Sequence, residues 1–289
     1  MKFNPDNLNI HELAVEEPEK ESGAIFDVER DITFDDRAKM HNRLEELRTE
    51  KKSYQDFADG KHYLNWVEFA KVAADMTVIG EKPKMTHHDL LKIEDELYFR
   101  RRKKDWKIFT GVAVFLAKLG HKPNLLSEDV EGMKKQTEEY RLYANSSYSQ
   151  FADMVEAMKF FGQDVNMSDR DWEFLEQGVR MSKLDFIGNN ENNFNGRSAG
   201  GYFAQDIILG RDPKVTKEEL ILMKKDLDRC RNITTDHYSG YELAELAASL
   251  TIITAEKVEI TDDGLKITMP KEKDDLHGET PAMPEQKQF

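Results

Sequence analysis

Cysteine is almost absent from this sequence, which contains a single one, Cys230, in 289 residues. An intramolecular disulfide and a cysteine-rich zinc site are therefore excluded, and such sparse use of cysteine is typical of a reducing compartment. The sequence also lacks any apolar run of 18 residues, so it predicts no helix that spans a bilayer. Its first residues contain no apolar signal core. Together these absences predict a soluble, cytoplasmic protein without a membrane partner.

Positive charge is in deficit. The chain has 56 Asp and Glu against 42 Lys and Arg, which gives a formal net charge of −14. A surface with this excess of carboxylates repels nucleic acids and anionic lipids on average and attracts basic partners. The apolar content is only 39%, but a chain of this length can still bury a sizeable core.

A short pattern recurs between residues 31 and 254 and predicts where several helices begin. A Thr or Ser is followed by an acid three residues later, by apolar residues at seven and often eleven, and by a closing Arg or Lys. The pattern starts at Thr33, Thr86, Ser168 and Thr216. Ser127 fits it loosely, because Asp129 and Met133 come one residue early. A hydroxyl at the N-cap and an acid at N3 satisfy amides of the first turn, and a cation suits the C-terminal end of the helix dipole.

More apolar helices are predicted between these capped ones. Each of them ends at a glycine, a typical stop signal. These glycines are Gly80, Gly120, Gly162 and Gly210. The repeating unit is thus an apolar helix, a short loop and a capped helix. The sequence predicts a mainly α fold of stacked antiparallel helix pairs, arranged either as a solenoid of the HEAT or armadillo kind or as an irregular helical bundle.

The period of the apolar residues changes after residue 254. Apolar and polar residues alternate on both sides of Asp262-Asp263-Gly264, which predicts a small C-terminal β-hairpin. This hairpin is expected to pack on the last helices, or to pair with residues 24–28 or with another chain. The predicted domains are a flexible acidic arm at 1–30, a helical-pair domain at 31–254, the hairpin at 255–270 and a disordered tail at 271–289.

One strongly basic cluster stands out in the acidic chain. It consists of Arg100, Arg101, Arg102, Lys103, Lys104, Trp106 and Lys107. Such a run is a candidate partner-binding site, because its cations can bind phosphates or carboxylates and an aromatic ring can stack. The alternative is a solvated end of the helix that starts after Thr86, where the helix dipole favours cations.

A second candidate site is the loop at 188–201, which is rich in Asn and Gly. Long irregular loops often bind ligands, and the candidate residues are Asn192, Asn193, Asn195, Arg197 and Ser198. Ser198 also lies in a G-x-S-x-G sequence. A hydrolase would need a buried strand before this serine, and the Asn-rich segment is unsuited to one.

No cofactor or metal is predicted. The sequence has no P-loop, no G-x-G-x-x-G and no H-E-x-x-H. The segment from Val215 to Glu219 is similar to the second half of a calcium loop, but of the expected oxygen ligands at positions 1, 3 and 5 only Asp212 is present.

The sequence therefore favours a non-enzymatic scaffold or adaptor whose acidic helical surface docks a basic protein. The alternative function is binding of nucleic acid or ribonucleoprotein through residues 100–107. Enzymatic activity is left open and not favoured, because helices packed side by side are expected to leave no room for a reaction centre.

Overall fold

The structure is a computed structural model that describes residues 26–49, 64–142, 148–163, 165, 167–187, 196–232, 239–261 and 264–270. For residues 64, 149, 179–187, 196 and 239 it describes the backbone alone. The described helices are α1 (Val28–Asp31), α2 (Phe34–Thr49), α3 (Leu64–Val78), α4 (His87–Lys103), α5 (Trp106–Lys118), α6 (Ser127–Leu142), α7 (Tyr148–Phe160), α8 (Asp169–Ile187), α9 (Gly196–Ile208), α10 (Lys217–Asn232) and α11 (Ser239–Thr254). The described strands are β1 (Lys257–Thr261) and β2 (Gly264–Thr268).

The long helices form two concentric rings. The inner ring consists of α3, α5, α7, α9 and α11, which pack against one another in sequence order, and α11 also packs against α3. The outer ring consists of α2, α4, α6, α8 and α10, each of which lies between two inner helices. At the seam of the ring, α2 lies between α11 and α3. The predicted mainly helical fold of helix pairs with a C-terminal hairpin is confirmed, and the pairs close on themselves rather than ending as an open solenoid does.

Four inner helices end in the same turn, which leads to the next outer helix. In the first of them Gly80 has a φ of +77°, and the amide of Glu81 donates to the carbonyl of Met76. This six-to-one hydrogen bond is the Schellman motif, which needs a left-handed residue and so favours glycine. The other three turns have the same geometry at Gly120, Gly162 and Gly210. The turn fixes where the next helix begins, because in each case the N-cap of that helix follows six residues after the glycine.

The predicted caps form as reciprocal hydrogen bonds. The Thr86 hydroxyl accepts from the amide of Asp89 at 3.2 Å, and the Asp89 carboxylate accepts from the amide of Thr86 at 2.7 Å. Three further pairs have the same arrangement. They are Thr33 with Asp36, Ser168 with Asp171 and Thr216 with Glu219.

The prediction of Ser127 as the cap of α6 is wrong by one residue. The Asp129 carboxylate accepts from the amide of Leu126 at 2.8 Å, so the N-cap is Leu126, and Ser127 is the first helical residue. Asp129 and Met133 therefore stand in the regular register, three and seven residues after the cap. A leucine has no hydroxyl to offer, so this helix start has only half of the capping box.

Neighbouring outer helices are joined by arginine–aspartate ion pairs, here named the circumferential pairs. Arg48, at the end of α2, donates to both carboxylate oxygens of Asp89 at 2.9 and 2.8 Å and also to the carbonyl of Lys84. The other pairs are Arg101 with Asp129, Arg141 with Asp171 and Arg231 with Asp36. Each of these aspartates is at most 2% exposed. Burial raises the pKa of Asp89, but hydrogen bonds from Arg48 and Thr86 outweigh it, so the pKa is lowered and the carboxylate stays charged.

The predicted N-terminal arm ends earlier than residue 30. Phe26 is buried, at 1% exposed, and Val28 begins helix α1 rather than a short strand. These residues therefore belong to the core because their apolar side chains pack within it. The remainder of the predicted arm, residues 1–25, and the predicted tail at 271–289 lie outside the described residues.

The hairpin lies across one end of the inner ring. Its strands are antiparallel, with Val258 opposite Ile267, and they pack against α5 and α9, which are not neighbours in the ring. Gly264 has a φ of +113°, and a Cβ added there would lie 2.7 Å from the carbonyl oxygen of Ala117. Only glycine fits this close approach. The hairpin thus packs on the helical domain, but chiefly on α5 and α9 rather than on the last helices, as the sequence had suggested.

The incomplete cap of α6 allows a direct test of whether Leu126 or Ser127 is its N-cap. We expect Leu126→Thr to raise the free energy of unfolding by about 1 kcal/mol, because the new hydroxyl can accept from the Asp129 amide. Urea denaturation followed by circular dichroism measures this. Ser127→Ala is the matched control and should change stability by less than about 0.5 kcal/mol. The opposite ranking, with the larger effect at Ser127, would restore the cap predicted from the sequence.

Candidate functional site

A cavity of about 450 Å³ lies on the axis of the inner ring. All five inner helices contribute to its wall, so we name it the axial cavity. Its wall on α9 runs from Arg197 to Ile208, which corresponds to about 16 Å along a helix. The expectation that the helices would leave no room for a central site is therefore wrong.

Small residues on the inner helices make this space. Gly111 on α5 and Gly201 and Ala204 on α9 line the cavity, together with Ala248 and Ser249 on α11. A Cβ added to Gly201 would meet no atom within 4 Å. Five helices around an axis cannot fill its centre with side chains this short, so a void remains where the small residues face each other.

The two ends of the cavity differ. At one end, Gly264 of the hairpin contacts the last turn of α5. At the other end the first turn of α9 contributes Arg197 and Ser198 to the wall. The Arg197 side chain is 35% exposed and Ser198 is exposed, so this end is in contact with solvent.

A network of ion pairs crosses the wall between α3, α9 and α11. Lys71 Nζ lies 3.0 Å from both the Asp75 and the Glu245 carboxylates. Arg197 pairs with Glu242 at 2.7 Å and lies 3.1 Å from Glu245. Burial works to lower the pKa of Lys71, but the two carboxylates outweigh it, so the pKa is raised and the ammonium stays charged. Both cations of this network are therefore already neutralised by the protein.

A second group of polar side chains faces the cavity from α5, α7 and α9. Lys118 Nζ lies 2.8 Å from Glu156, and Gln205 donates to the Asp153 carboxylate at 2.6 Å. Asp153 is exposed to solvent and belongs to the wall of the cavity. Burial and the charge of Glu156 raise the pKa of Asp153 to about 6.

The wall suits recognition by charge and hydrogen bonding. Among the described lining residues, four side chains are carboxylates (Asp75, Asp153, Glu156, Glu245) and three are cations (Lys71, Lys118, Arg197). Phe115 and Tyr202 add aromatic faces. The described lining contains no His or Cys, and no group of three or more His, Cys, Asp or Glu in the described part of the chain is arranged to hold a metal ion.

The structure divides the predicted basic cluster. Arg100 is buried and pairs with Glu96 at 2.6 Å and with Asp105 at 2.7 Å, while Arg101 forms a circumferential pair. Trp106 packs so closely that a Cβ on Gly132 would lie 2.2 Å from its ring. These three side chains hold helices together.

The rest of the cluster lies on the surface. Arg102, Lys103, Lys104 and Lys107 are exposed, and the Arg102 guanidinium lies 6.0 Å from the ring of Tyr98. The partner-binding prediction stays untested, and only these four cations are available to a partner without breaking internal ion pairs.

The structure describes only two residues of the second predicted site. Asn192, Asn193 and Asn195 lie outside the described residues, whereas Arg197 and Ser198 lie in the first turn of α9, on the cavity wall. The cavity wall also contains six charged residues that were not predicted from the sequence, namely Lys71, Asp75, Lys118, Asp153, Glu156 and Glu245. A sequence feature could have pointed to these residues, because charged residues lie one helical turn apart inside apolar helices, as Lys71 and Asp75 do.

Comparisons with family models, with curated proteins and with solved structures gave no match for this chain. None of the described helices is both long and apolar enough to cross a membrane.

The internal role of Arg101 can be separated from surface charge by paired variants. We expect Arg101→Ala to lower the free energy of unfolding by about 2–3 kcal/mol, because it leaves the buried Asp129 carboxylate without its cation. Arg102→Ala, at the next position but exposed, should cost less than about 0.5 kcal/mol. Chemical denaturation measures both values. Equal effects of the two substitutions would show that the Arg101 pair adds nothing to stability.

Proposed function

We propose that this protein binds a small polar molecule in the axial cavity. The single observation that carries the proposal is a void of about 450 Å³ whose wall is drawn from five helices and includes seven charged side chains. Ligand sites in proteins are concave, are usually preformed and contain a few converging polar groups. A void of this volume is in the range of small-molecule sites.

The charged side chains of the wall favour a ligand site over a merely structural cavity. Charged groups are costly to bury unless they are paired or solvated. A protein that needed only a stable ring could fill its centre with apolar side chains at no such cost. The wall instead contains Asp153, which has a raised pKa and forms no ion pair among the described residues. Perturbed carboxyl groups in a cavity are typical of binding or catalytic sites.

The test is to fill the cavity from a position where the fold has room. We expect Gly201→Leu to place its side chain in the void without a clash, because a Cβ there meets nothing within 4 Å. Binding is measured by ligand-observed NMR with amines, carboxylic acids, phosphate esters and sugars, each tested singly. At least one class should bind the unmodified protein, and Gly201→Leu should lose that binding.

Gly201→Ala is the matched control. It should retain binding, because a methyl group fills little of the void, and it should raise stability by about 0.5–1 kcal/mol, because alanine is the better helix former. If no class binds the unmodified protein, or if binding is the same in Gly201→Leu, the proposal is refuted.

The hypotheses drawn from the sequence stay predictions. These are a scaffold that docks a basic protein, nucleic-acid or ribonucleoprotein binding through the basic cluster, and a cytoplasmic location. The net charge of −14 supports the first, and the exposed side chains of Arg102, Lys103, Lys104 and Lys107 support the second. Charge reversal at Arg102 and Lys103, away from the internal pairs, with RNA and DNA binding followed over a salt titration, separates the two. A steep loss of binding with salt would favour nucleic acid.

A further inference from the structure

Most charged side chains of the axial cavity are already paired with one another, but Asp153 is not. From this we propose that the cavity binds an organic cation, with its ammonium group at Asp153. This inference rests on the proposed function and adds the chemical class of the ligand. It depends on three observations: which charges are already paired, which oxygens still lack hydrogen-bond donors, and which rings face the void.

The cations of the wall are all engaged by carboxylates. Lys71 lies between Asp75 and Glu245, and Arg197 pairs with Glu242. Lys118 lies 2.8 Å from Glu156 and over the ring of Phe160. An anionic ligand would have to displace one of these carboxylates and would meet the negative charge of the others. A cationic ligand at Asp153 displaces no ion-pair partner, because Asp153 forms none among the described residues; the nearby cations that act on it are Lys107 and Lys118.

The carboxylate oxygens near α7 can accept more hydrogen bonds. Glu156 is 6% exposed; its Oε1 forms the ion pair with Lys118 Nζ at 2.8 Å but accepts no well-aligned hydrogen bond in the described part of the chain. Asp153 accepts from Gln205 at Oδ1, and its Oδ2 has no donor among the described residues. Asp153 is exposed to solvent, so this oxygen is open to a ligand, and an ammonium group supplies three donors.

The rest of the wall suits the organic part of such a ligand. Phe115 and Tyr202 line the same cavity, and aromatic faces attract ammonium groups within about 6 Å. Val114, Ile208 and Ile252 provide apolar surface. An inorganic ion is a poorer match, because the described residues offer no group of three metal ligands.

The titratable groups around Asp153 set the pH at which a cation can bind. Glu156 shares its helix, Lys107 and Lys118 face it from α5, and Tyr140 feels its charge from α6. The pKa of Asp153 is raised to about 6, so its carboxylate is charged above that pH and neutral well below it. Cation binding should therefore weaken as the pH falls from 7.5 to 5.

Three probes of equal size and different charge test the inference on the full chain: butylammonium, 1-butanol and butyrate. We expect saturation-transfer NMR at pH 7.5 to show binding of butylammonium and no binding of the other two. Asp153→Asn should weaken butylammonium binding at least tenfold, and Gly201→Leu should abolish it. Asp95→Asn is the control, because the Asp95 side chain is a carboxylate that is 75% exposed, and it should leave binding unchanged.

The outcomes separate this inference from the proposed function. If butyrate or butanol binds and Gly201→Leu removes that binding, the cavity is a ligand site but the inferred class is wrong. If butylammonium fails to bind, or binds equally well to Asp153→Asn, the inference is overturned, while the wider screen still decides the proposed function. Loss of butylammonium binding in both cavity variants, with binding retained in Asp95→Asn, supports both.

Discussion

The carboxylate at the third position of an outer helix serves two helices at once. It accepts from the amide at the start of its own helix, and it binds the arginine at the end of the preceding outer helix, as Asp89 does with Thr86 and Arg48. The same arginine often reaches one more backbone carbonyl, such as that of Lys84. A local cap and a tertiary contact therefore share one side chain. Because burial of such a charge is tolerated only while its donors stay in place, the pitch between neighbouring helices is tightly constrained.

That constraint accounts for the ring. Three successive ion pairs of this kind join α2 to α4, α4 to α6 and α6 to α8. A fourth, between Arg231 and Asp36, joins α10 back to α2. A constant turn between repeats is what curves a helical array. Here the curvature returns the fifth pair to the first, and the inner helices surround a space that their small side chains do not fill. The axial cavity thus follows from the same repeat that stabilises the outer wall.

The sequence predicted the local structure well because its signals act over a few residues. Thr86 and Asp89 are three positions apart, and Gly80 ends the helix before them, so the start of α4 and the end of α3 could be recognised without tertiary information. The register of α6 was predicted wrongly because a serine beside the true cap gave a stronger local signal than Leu126. Closure of the ring could not be predicted, since it depends on small rotations that accumulate over five pairs.

The candidate site was harder to predict for a related reason. Arg100 and Arg101 belong to a basic run that resembles a solvated helix end. Only the fold shows that their partners are Glu96, on the same helix, and Asp129, on the next outer helix. Asp153 and Glu245 lie far apart in sequence and face one cavity only after the ring forms. Charges within apolar helices were the available sign, but their spacing does not reveal which helices they will face.

The seam of the ring has a kinetic consequence. The other three described circumferential pairs join residues 28 to 41 positions apart, whereas Arg231 and Asp36 are separated by 195. The entropy lost on closing a loop grows with its length, and contacts of long sequence separation form slowly. The seam is therefore expected to form last as the chain folds. By the same reasoning, it is the junction at which a folded ring opens first.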